Sequence, residues 1–235
     1  MNGNGTEARK AVVLLSGGID SSTLLHHVSR NLRYGVVHAL SFAYGQKHAR
    51  ELEMAGWQAQ AAGVARHEIV DLALFRGLIA GASALTAEDV DIPRLADLTD
   101  AQKAQPPTYV PHRNLLFLTL AAAYAEARGI ADVFYGAQAQ DRYGYWDCTE
   151  EFRERLNTLL QLNRGRPVTV LAPFMGLRKA DELRIGRELG VDYGHTWSCY
   201  RGAVPACGHC PTCVERLAAF AELGVPDPLP YAGGS

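Results

Sequence analysis

The stretch Ala11-Val12-Val13-Leu14-Leu15-Ser16-Gly17-Gly18-Ile19-Asp20-Ser21-Ser22 decides the fold. Five apolar residues read as a buried strand, and two glycines let the backbone turn sharply and approach a ligand closely. Asp20 and the serines then open a helix. Unpaired N–H groups at such a helix start, together with about half a positive charge from the helix dipole, favour phosphate there. No lysine stands where a Walker A loop, Gly-x-x-x-x-Gly-Lys-Ser/Thr, requires one. The competing reading is an ordinary strand-turn-helix corner in which Asp20 or Ser21 caps a helix.

Outward from this corner, strand and helix patterns alternate. Residues 36–42, 68–72, 132–136 and 168–171 read as further strands. Helices are predicted over 46–63, 114–128, about 150–163, and 178–189, with Gly129 and Gly190 as stops. This alternation predicts an α/β fold, a twisted parallel sheet with helices on both faces. Ligands of such sheets sit beyond the carboxyl ends of the strands, where the Gly17-Gly18 loop lies. Residues 76–112, with Pro93, Pro106, Pro107 and Pro111, read as irregular, either a lid over the site or a tolerated insertion. The organisation expected is a flexible 1–9, an α/β domain over 10–194, a metal-binding element with a helix over 195–223, and a flexible tail over 224–235.

Composition bounds the partners. With 235 residues, 48% of them hydrophobic, the chain can build a full core. A net charge of −2 gives no electrostatic case for a nucleic-acid partner. No apolar run approaches the roughly 18 residues of a membrane span, and the polar start of the chain lacks a signal-peptide core. A cytoplasmic location is expected.

Four of the five cysteines, Cys199, Cys207, Cys210 and Cys213, lie in the spacing C-x7-C-x2-C-x2-C. Four thiolates so spaced can close a tetrahedral zinc site with no open position, hence one structural Zn2+ per chain. An iron–sulfur cluster would use the same ligands, whereas disulfides do not fit a cytoplasmic chain, and catalytic thiols do not fit so crowded a spacing. His209 is expected to face solvent and Cys148 to have no catalytic role.

The pattern Ser-Gly-Gly-x-Asp-Ser at 16–21 resembles the pyrophosphatase loop (PP-loop) of N-type ATP pyrophosphatases, which cleave ATP between the α and β phosphates. Taken with the cysteine knot, it resembles the 7-cyano-7-deazaguanine synthase family. Further blocks carry the resemblance in order: Phe42-Ala43-Tyr44-Gly45-Gln46-Lys47-His48, Tyr109-Val110-Pro111-His112-Arg113-Asn114, Gly144-Tyr145-Trp146-Asp147-Cys148, Leu177-Arg178-Lys179-Ala180-Asp181 and Thr196-Trp197-Ser198-Cys199. The resemblance implies a Rossmann-like, adenine-nucleotide α-hydrolase-like fold and a homodimer. It also implies conversion of 7-carboxy-7-deazaguanine and ammonia to the nitrile, with two ATP and Mg2+. ATP would lie against Leu15, Ser16, Gly17, Gly18, Ile19, Asp20, Ser21, Ser22, Thr23, Leu24 and Leu25. Asp20, Ser22, Arg113 and Lys179 would carry catalysis, Asp20 facing the magnesium. Gln46, His48, Arg113, Asn114, Tyr145 and Asp147 would hold the acceptor substrate; a capping role at the helix start for Gln46 and His48, and a buried structural Asp147, are the competing readings.

The chain departs from the family pattern at four positions: His112 for Gly, Tyr143 for Ser, Trp146 for Pro and Thr149 for Arg. Three of these fall in one segment, so an altered acceptor pocket is expected. That leaves open a product stopped at the amide, or transfer to another amine, even one on a protein. A tRNA-thiolating or lysidine-forming relative is a further alternative, disfavoured by the shortage of free cysteines and of positive charge. A zinc-ribbon nucleic-acid module is the non-enzyme alternative, and only Arg201 and Arg216 near the knot would serve it.

Overall fold

Five strands, β1 (Lys10–Leu14), β2 (Val36–Ala43), β3 (Arg66–Asp71), β4 (Asp132–Phe134) and β5 (Thr169–Leu171), form one parallel sheet in the order β3-β2-β1-β4-β5. Residues 8–46, 50–87, 90–139, 141, 144–202 and 204–233 are described here, in a computed structural model. In register, Val12 of β1 pairs with His38 of β2 on one side and with Val133 of β4 on the other. Alternation along the strands supplies the two faces. Val12, Leu40, Val133 and Val170 point to one core, while Ala11, Val13, Ala39 and Phe134 point to the other.

The first core is covered by α5 (Arg113–Ala127) and α6 (Glu150–Leu160), through Phe117, Leu118, Ala121, Phe152 and Leu156. The second is covered by α1 (Ile19–His26) and α2 (Arg50–Ala62), through Leu24, Leu25, Ala55 and Ala59, with Ile185 of α7 (Lys179–Glu188) packed beside them. A third cluster joins α7 to α8 (Pro211–Glu222) through Leu183, Ala219 and Phe220. No helix among the described residues is long and apolar enough to cross a membrane. Successive strands are added on one side of β1 as far as β3 and on its other side from β4, and the opening beyond the carboxyl ends of β1 and β4 is where such folds bind ligands.

The predicted strands and long helices are present, with boundaries shifted by a few residues. The segment predicted to be irregular is partly built. The short α3 (Ala73–Leu78) leads into it, and α4 (Asp100–Ala104) within it is closed by a reciprocal Thr99–Gln102 capping box. Leu85, Ile92 and Val110 are buried in the first core, so the segment forms a wall of the domain.

The tail differs from expectation. Asp227 accepts both Nε and Nη2 of Arg216 at 2.7 and 2.9 Å, and the hydroxyl of Tyr231 at 2.7 Å. The side chains of this ion pair are 1% and 3% exposed. The N–H of Ala206 donates to the carbonyl of Pro230, and that of Ala232 to the carbonyl of Ala206. A proline-rich composition reads as loose, yet here it docks, because a buried guanidinium on α8 requires its carboxylate.

Candidate active site

At the loop, Gly17 has φ +87°, and a Cβ there would lie 2.1 Å from the Glu51 carbonyl oxygen and 2.7 Å from the Ala55 nitrogen. Glycine is required twice over, for its left-handed backbone and for the approach of α2. The Gly17 carbonyl in turn accepts the N–H of Trp197 at 2.9 Å, which ties the loop to the C-terminal element. Gly18 is the extended N-cap of α1 and makes no side-chain cap, leaving the first-turn N–H groups without a side-chain acceptor. Ser21 Oγ accepts the Ser16 N–H at 3.1 Å and lies 2.9 Å from Ser16 Oγ, which fixes the turn. Across from it, a Cβ on Gly136 would meet Ser21 N at 3.3 Å, so the end of β4 comes close to the helix start.

These groups form one end of a cavity of about 260 Å³ lined by Leu15, Ser16, Gly18, Ile19, Asp20 and Ser21. Lys179, the first residue of α7, projects to the same place. Its Nζ donates to Asp20 Oδ2 at 3.2 Å and lies 3.7 Å from Glu215 Oε2. Burial opposes its charge, but Asp20, Glu215 and Asp141 outweigh burial and raise its pKa. Asp141, also on the cavity wall, is raised to about 7, chiefly by burial.

The opposite end is lined by Tyr44, Gln46, Glu51, Leu85, Arg113, Asn114, Phe117, Tyr145 and Tyr200. Arg113 stands among phenols, donating to Tyr44 OH at 3.3 Å, with Tyr145 and Tyr200 on the same wall. Glu51 faces it from the first turn of α2, and burial raises that carboxyl to about 7 against the lowering effect of Arg113. Gln46 is anchored by its own turn, accepting the Tyr44 N–H at 2.9 Å and donating to the Phe42 carbonyl at 3.0 Å. A half-buried cation facing a mixed aromatic and carboxylate wall can bind a flat anion.

Several expected site residues lie elsewhere. Ser22, Thr23, Leu24 and Leu25 are buried in α1 and do not line the cavity. Thr23 Oγ1 is 2.8 Å from Tyr193 OH, while Ser22 Oγ has no partner. Asp147 does not line the cavity either. Its Oδ2 accepts the Asn114 N–H at 3.2 Å, so it satisfies the start of α5. His48 and Tyr143 fall outside the described residues.

The remaining departures from the family pattern lie beyond the cavity wall. His112 has φ +53°, which explains why glycine suits this position. Its ring meets Trp146 edge-on at 5.6 Å, and Trp146 Nε1 donates to Tyr109 OH at 2.8 Å. Thr149 caps α6 by accepting the Phe152 N–H at 3.2 Å. At these positions, then, the departures leave the cavity wall itself unchanged.

The cysteine ligands come together: Cys199, Cys207, Cys210 and Cys213 place all four Sγ atoms within 4.8 Å of one another, and this group can hold a metal ion. The Cys207 N–H donates to Cys199 Sγ at 3.4 Å and the Cys210 N–H to Cys207 Sγ at 3.3 Å. His209 Nδ1 lies 2.7 Å from the Cys207 carbonyl oxygen, outside the ligand set. From this knot Trp197, Ser198, Tyr200 and Thr212 reach the cavity wall. Residues missed in the sequence are Glu51, Asp141, Glu182 and Glu215. The signal for Glu182 was an acid beside Leu183 on the buried side of α7.

A sequence model of the family described as queuosine biosynthesis protein QueC matches residues 10–224. The chain belongs to this family. A 7-cyano-7-deazaguanine synthase from Thermosynechococcus vestitus is 46% identical over 229 residues, covering 95% of this chain and 96% of the relative. One from Nostoc sp. is 43% identical over 231 residues, covering 95% and 97%. Among solved structures, NMN synthetase from Francisella tularensis superposes with a TM-score of 0.52 at 15% identity, over 94% of this chain and 79% of that one, a likeness of fold alone. Matches of this extent make the chain a synthase-type enzyme of small-molecule biosynthesis. They favour neither the zinc-ribbon reading nor the redirected acceptor.

Proposed function

We propose that this cavity adenylates the carboxylate of 7-carboxy-7-deazaguanine and carries it through the amide to 7-cyano-7-deazaguanine. The observation that carries the reading is the joining, in one cavity, of the Ser16–Ser21 amide turn with Lys179 at one end and Arg113 among Tyr44, Tyr145 and Tyr200 at the other.

A carboxylate oxygen attacks the α-phosphorus of ATP, the bond to the β-phosphate oxygen breaks, and pyrophosphate leaves. Backbone N–H groups at the start of α1 and the Lys179 ammonium stabilise that leaving charge. Asp20 holds Lys179 in place and is the residue that would meet magnesium carried by the triphosphate. Arg113 binds the acceptor carboxylate and orients it. Ammonia then displaces AMP to give the amide and a proton. A second ATP adenylates the amide oxygen, and loss of AMP and a proton leaves the nitrile. Glu51 and Asp141, both titrating near neutrality, suit proton acceptance in these steps.

Zinc is the metal we assign to the four thiolates, because four sulfurs with no neighbouring His or carboxylate ligand and no open position match a structural site. A homodimer and a cytoplasmic location complete the reading, and the net charge of −2 gives no ground for a nucleic-acid partner. The test is mass spectrometry of products after incubation with ATP, magnesium, ammonium and 7-carboxy-7-deazaguanine. Nitrile with AMP and pyrophosphate is the expected result. Amide alone, or a mass gain on protein, redirects the reading, and absence of AMP overturns it.

A further inference from the structure

Behind the nucleotide end of the cavity lies an unbalanced group of carboxylate oxygens. Glu182 is 0% exposed, and neither of its oxygens has a hydrogen-bond partner. Asp20 Oδ1 is likewise buried and unpartnered. The two side chains face each other by construction of the helices. Lys179 and Glu182, three residues apart, share one face of α7, and α1, which carries Asp20, packs along that helix. Other ionisable groups around Glu182 are Lys179, Asp141 and Tyr193. Lys179 is already committed to Asp20 Oδ2 and Glu215, and the Tyr193 hydroxyl to Thr23.

Two buried acceptors cannot satisfy one another, and leaving them bare is unfavourable. Three arrangements remain: two adjacent ionised carboxylates, a cation between them, or a proton on one. The first places like charges together away from water, which raises the pKa of one of them. The second finds too few ligands, because the four cysteines are the sole metal-capable group of three or more among the described residues. The third turns one acceptor into a donor and satisfies both residues.

We propose that Glu182 is a protonated carboxylic acid that donates to Asp20 Oδ1, completing a Lys179–Asp20–Glu182 chain that positions the loop carboxylate and its lysine. Glu182 touches neither substrate nor nucleotide, so it is a positioning residue. Its neutrality keeps one negative charge away from the place where the triphosphate binds. Burial together with the neighbouring Asp20 drives its pKa upward, in agreement with this geometry. The role in turnover rests on the adenylation reading above, whereas the protonation state stands without it.

The experiment uses full-length protein with its metal and compares wild type, Glu182→Gln and Glu182→Met. Difference infrared spectroscopy of the ligand-free protein, taken well above the pH of about 7 at which Glu51 and Asp141 titrate, reads the carbonyl stretch of a protonated carboxylic acid. Pyrophosphate release reads the turnover. We expect a protonated-acid band in wild type that is absent from Glu182→Gln. Glu182→Gln, whose amide N–H replaces the donor, keeps kcat close to wild type. Glu182→Met loses kcat by roughly ten- to a hundredfold, the scale of one hydrogen bond to a charged group, with KM for ATP unchanged. A wild-type spectrum with no such band overturns the proposal. So does a Glu182→Gln enzyme as impaired as Glu182→Met, or one restored by excess magnesium, since an ionised or cation-bridged Glu182 is then required. Equal activity in all three proteins overturns the positioning role. A protonated-acid band together with no pyrophosphate release from wild type upholds the proton and overturns the adenylation reading instead.

Discussion

The two ends of the cavity are made differently. The nucleotide end is a run of backbone, Leu15 to Ser21, whose shape comes from Gly17 and Gly18 and whose donors are main-chain N–H groups. The acceptor end is assembled from side chains of separate segments: Tyr44 after β2, Glu51 on α2, Arg113 on α5, Tyr145 before α6 and Tyr200 beside the metal knot. A site built of backbone depends on glycine and on whatever holds the turn still. A site built of side chains depends on each residue singly, and on the distant elements that deliver it.

The metal knot supports both ends, so its loss should have the largest effect. Trp197 pins Gly17, and Tyr200 lies on the acceptor wall, two and one residues from the ligand Cys199. Structural zinc contributes on the order of 10 kcal/mol to the folding of small metal peptides. Metal removal by chelation, or Cys213→Ser, should abolish turnover and expose the amides of residues 196–202 to hydrogen exchange. Retained activity in metal-free protein would break the link between knot and loop.

Lys179 comes next. It is the one side-chain cation drawn into the nucleotide end among the described residues, and Lys179→Met should lower kcat for pyrophosphate release about 10²- to 10³-fold, as removal of a transition-state charge partner does. At the acceptor end, Arg113→Lys should raise KM for the carboxylate substrate roughly tenfold or more, since a point charge cannot replace a planar, bidentate donor. KM for ATP should stay unchanged. If both constants move together, the two ends are one site energetically and the distinction between them fails.

How much of this was readable beforehand follows from the same contrast. The loop could be read because its chemistry is contiguous, and the knot because metal geometry demands short cysteine spacings. Direction of side chains could not be read. Asp147 sits in the family-like segment at 144–148, yet it turns inward to the start of α5. Asp227 stands between two prolines, and nothing local reveals that Arg216 of α8 reaches it from eleven residues away. Glu51 and Glu182 are ordinary helix formers in sequence; only packing half-buries the first and fully buries the second.

Those acids give the protein a pH signature. Burial raises the Glu51 carboxyl from its ordinary 4.5 to about 7, and the Asp141 carboxyl from 3.8 to about 7. The folded state then binds more protons than the unfolded state between these values, so stability falls as pH rises through the interval. The slope is at most about 1.4 kcal/mol per pH unit for each group. Burial lowers the pKa of His26, His27, His38 and His67, which acts in the opposite sense, so the measurement is a difference: from pH 4.5 toward pH 7 the melting temperature of ligand-free wild type should fall relative to that of Glu51→Gln. An unchanged difference over the interval would contradict the Glu51 assignment.

Ser22 gives the smallest expected effect and the sharpest test of a backbone-built site. By sequence it belongs to the loop and was expected to share in catalysis. In the fold it is 0% exposed, turned away from the cavity, with Oγ unpartnered. Removing a buried hydroxyl that has no partner removes a desolvation penalty and a few van der Waals contacts, terms of opposite sign near 1 kcal/mol. Ser22→Ala should therefore melt within a few degrees of wild type and keep kcat within about twofold, because the Ser22 N–H, already spent on the Gly18 carbonyl, is unchanged. A large fall in kcat with normal melting would mean that α1 turns Ser22 toward the nucleotide in the working enzyme. The loop would then contribute side-chain chemistry as the acceptor end does.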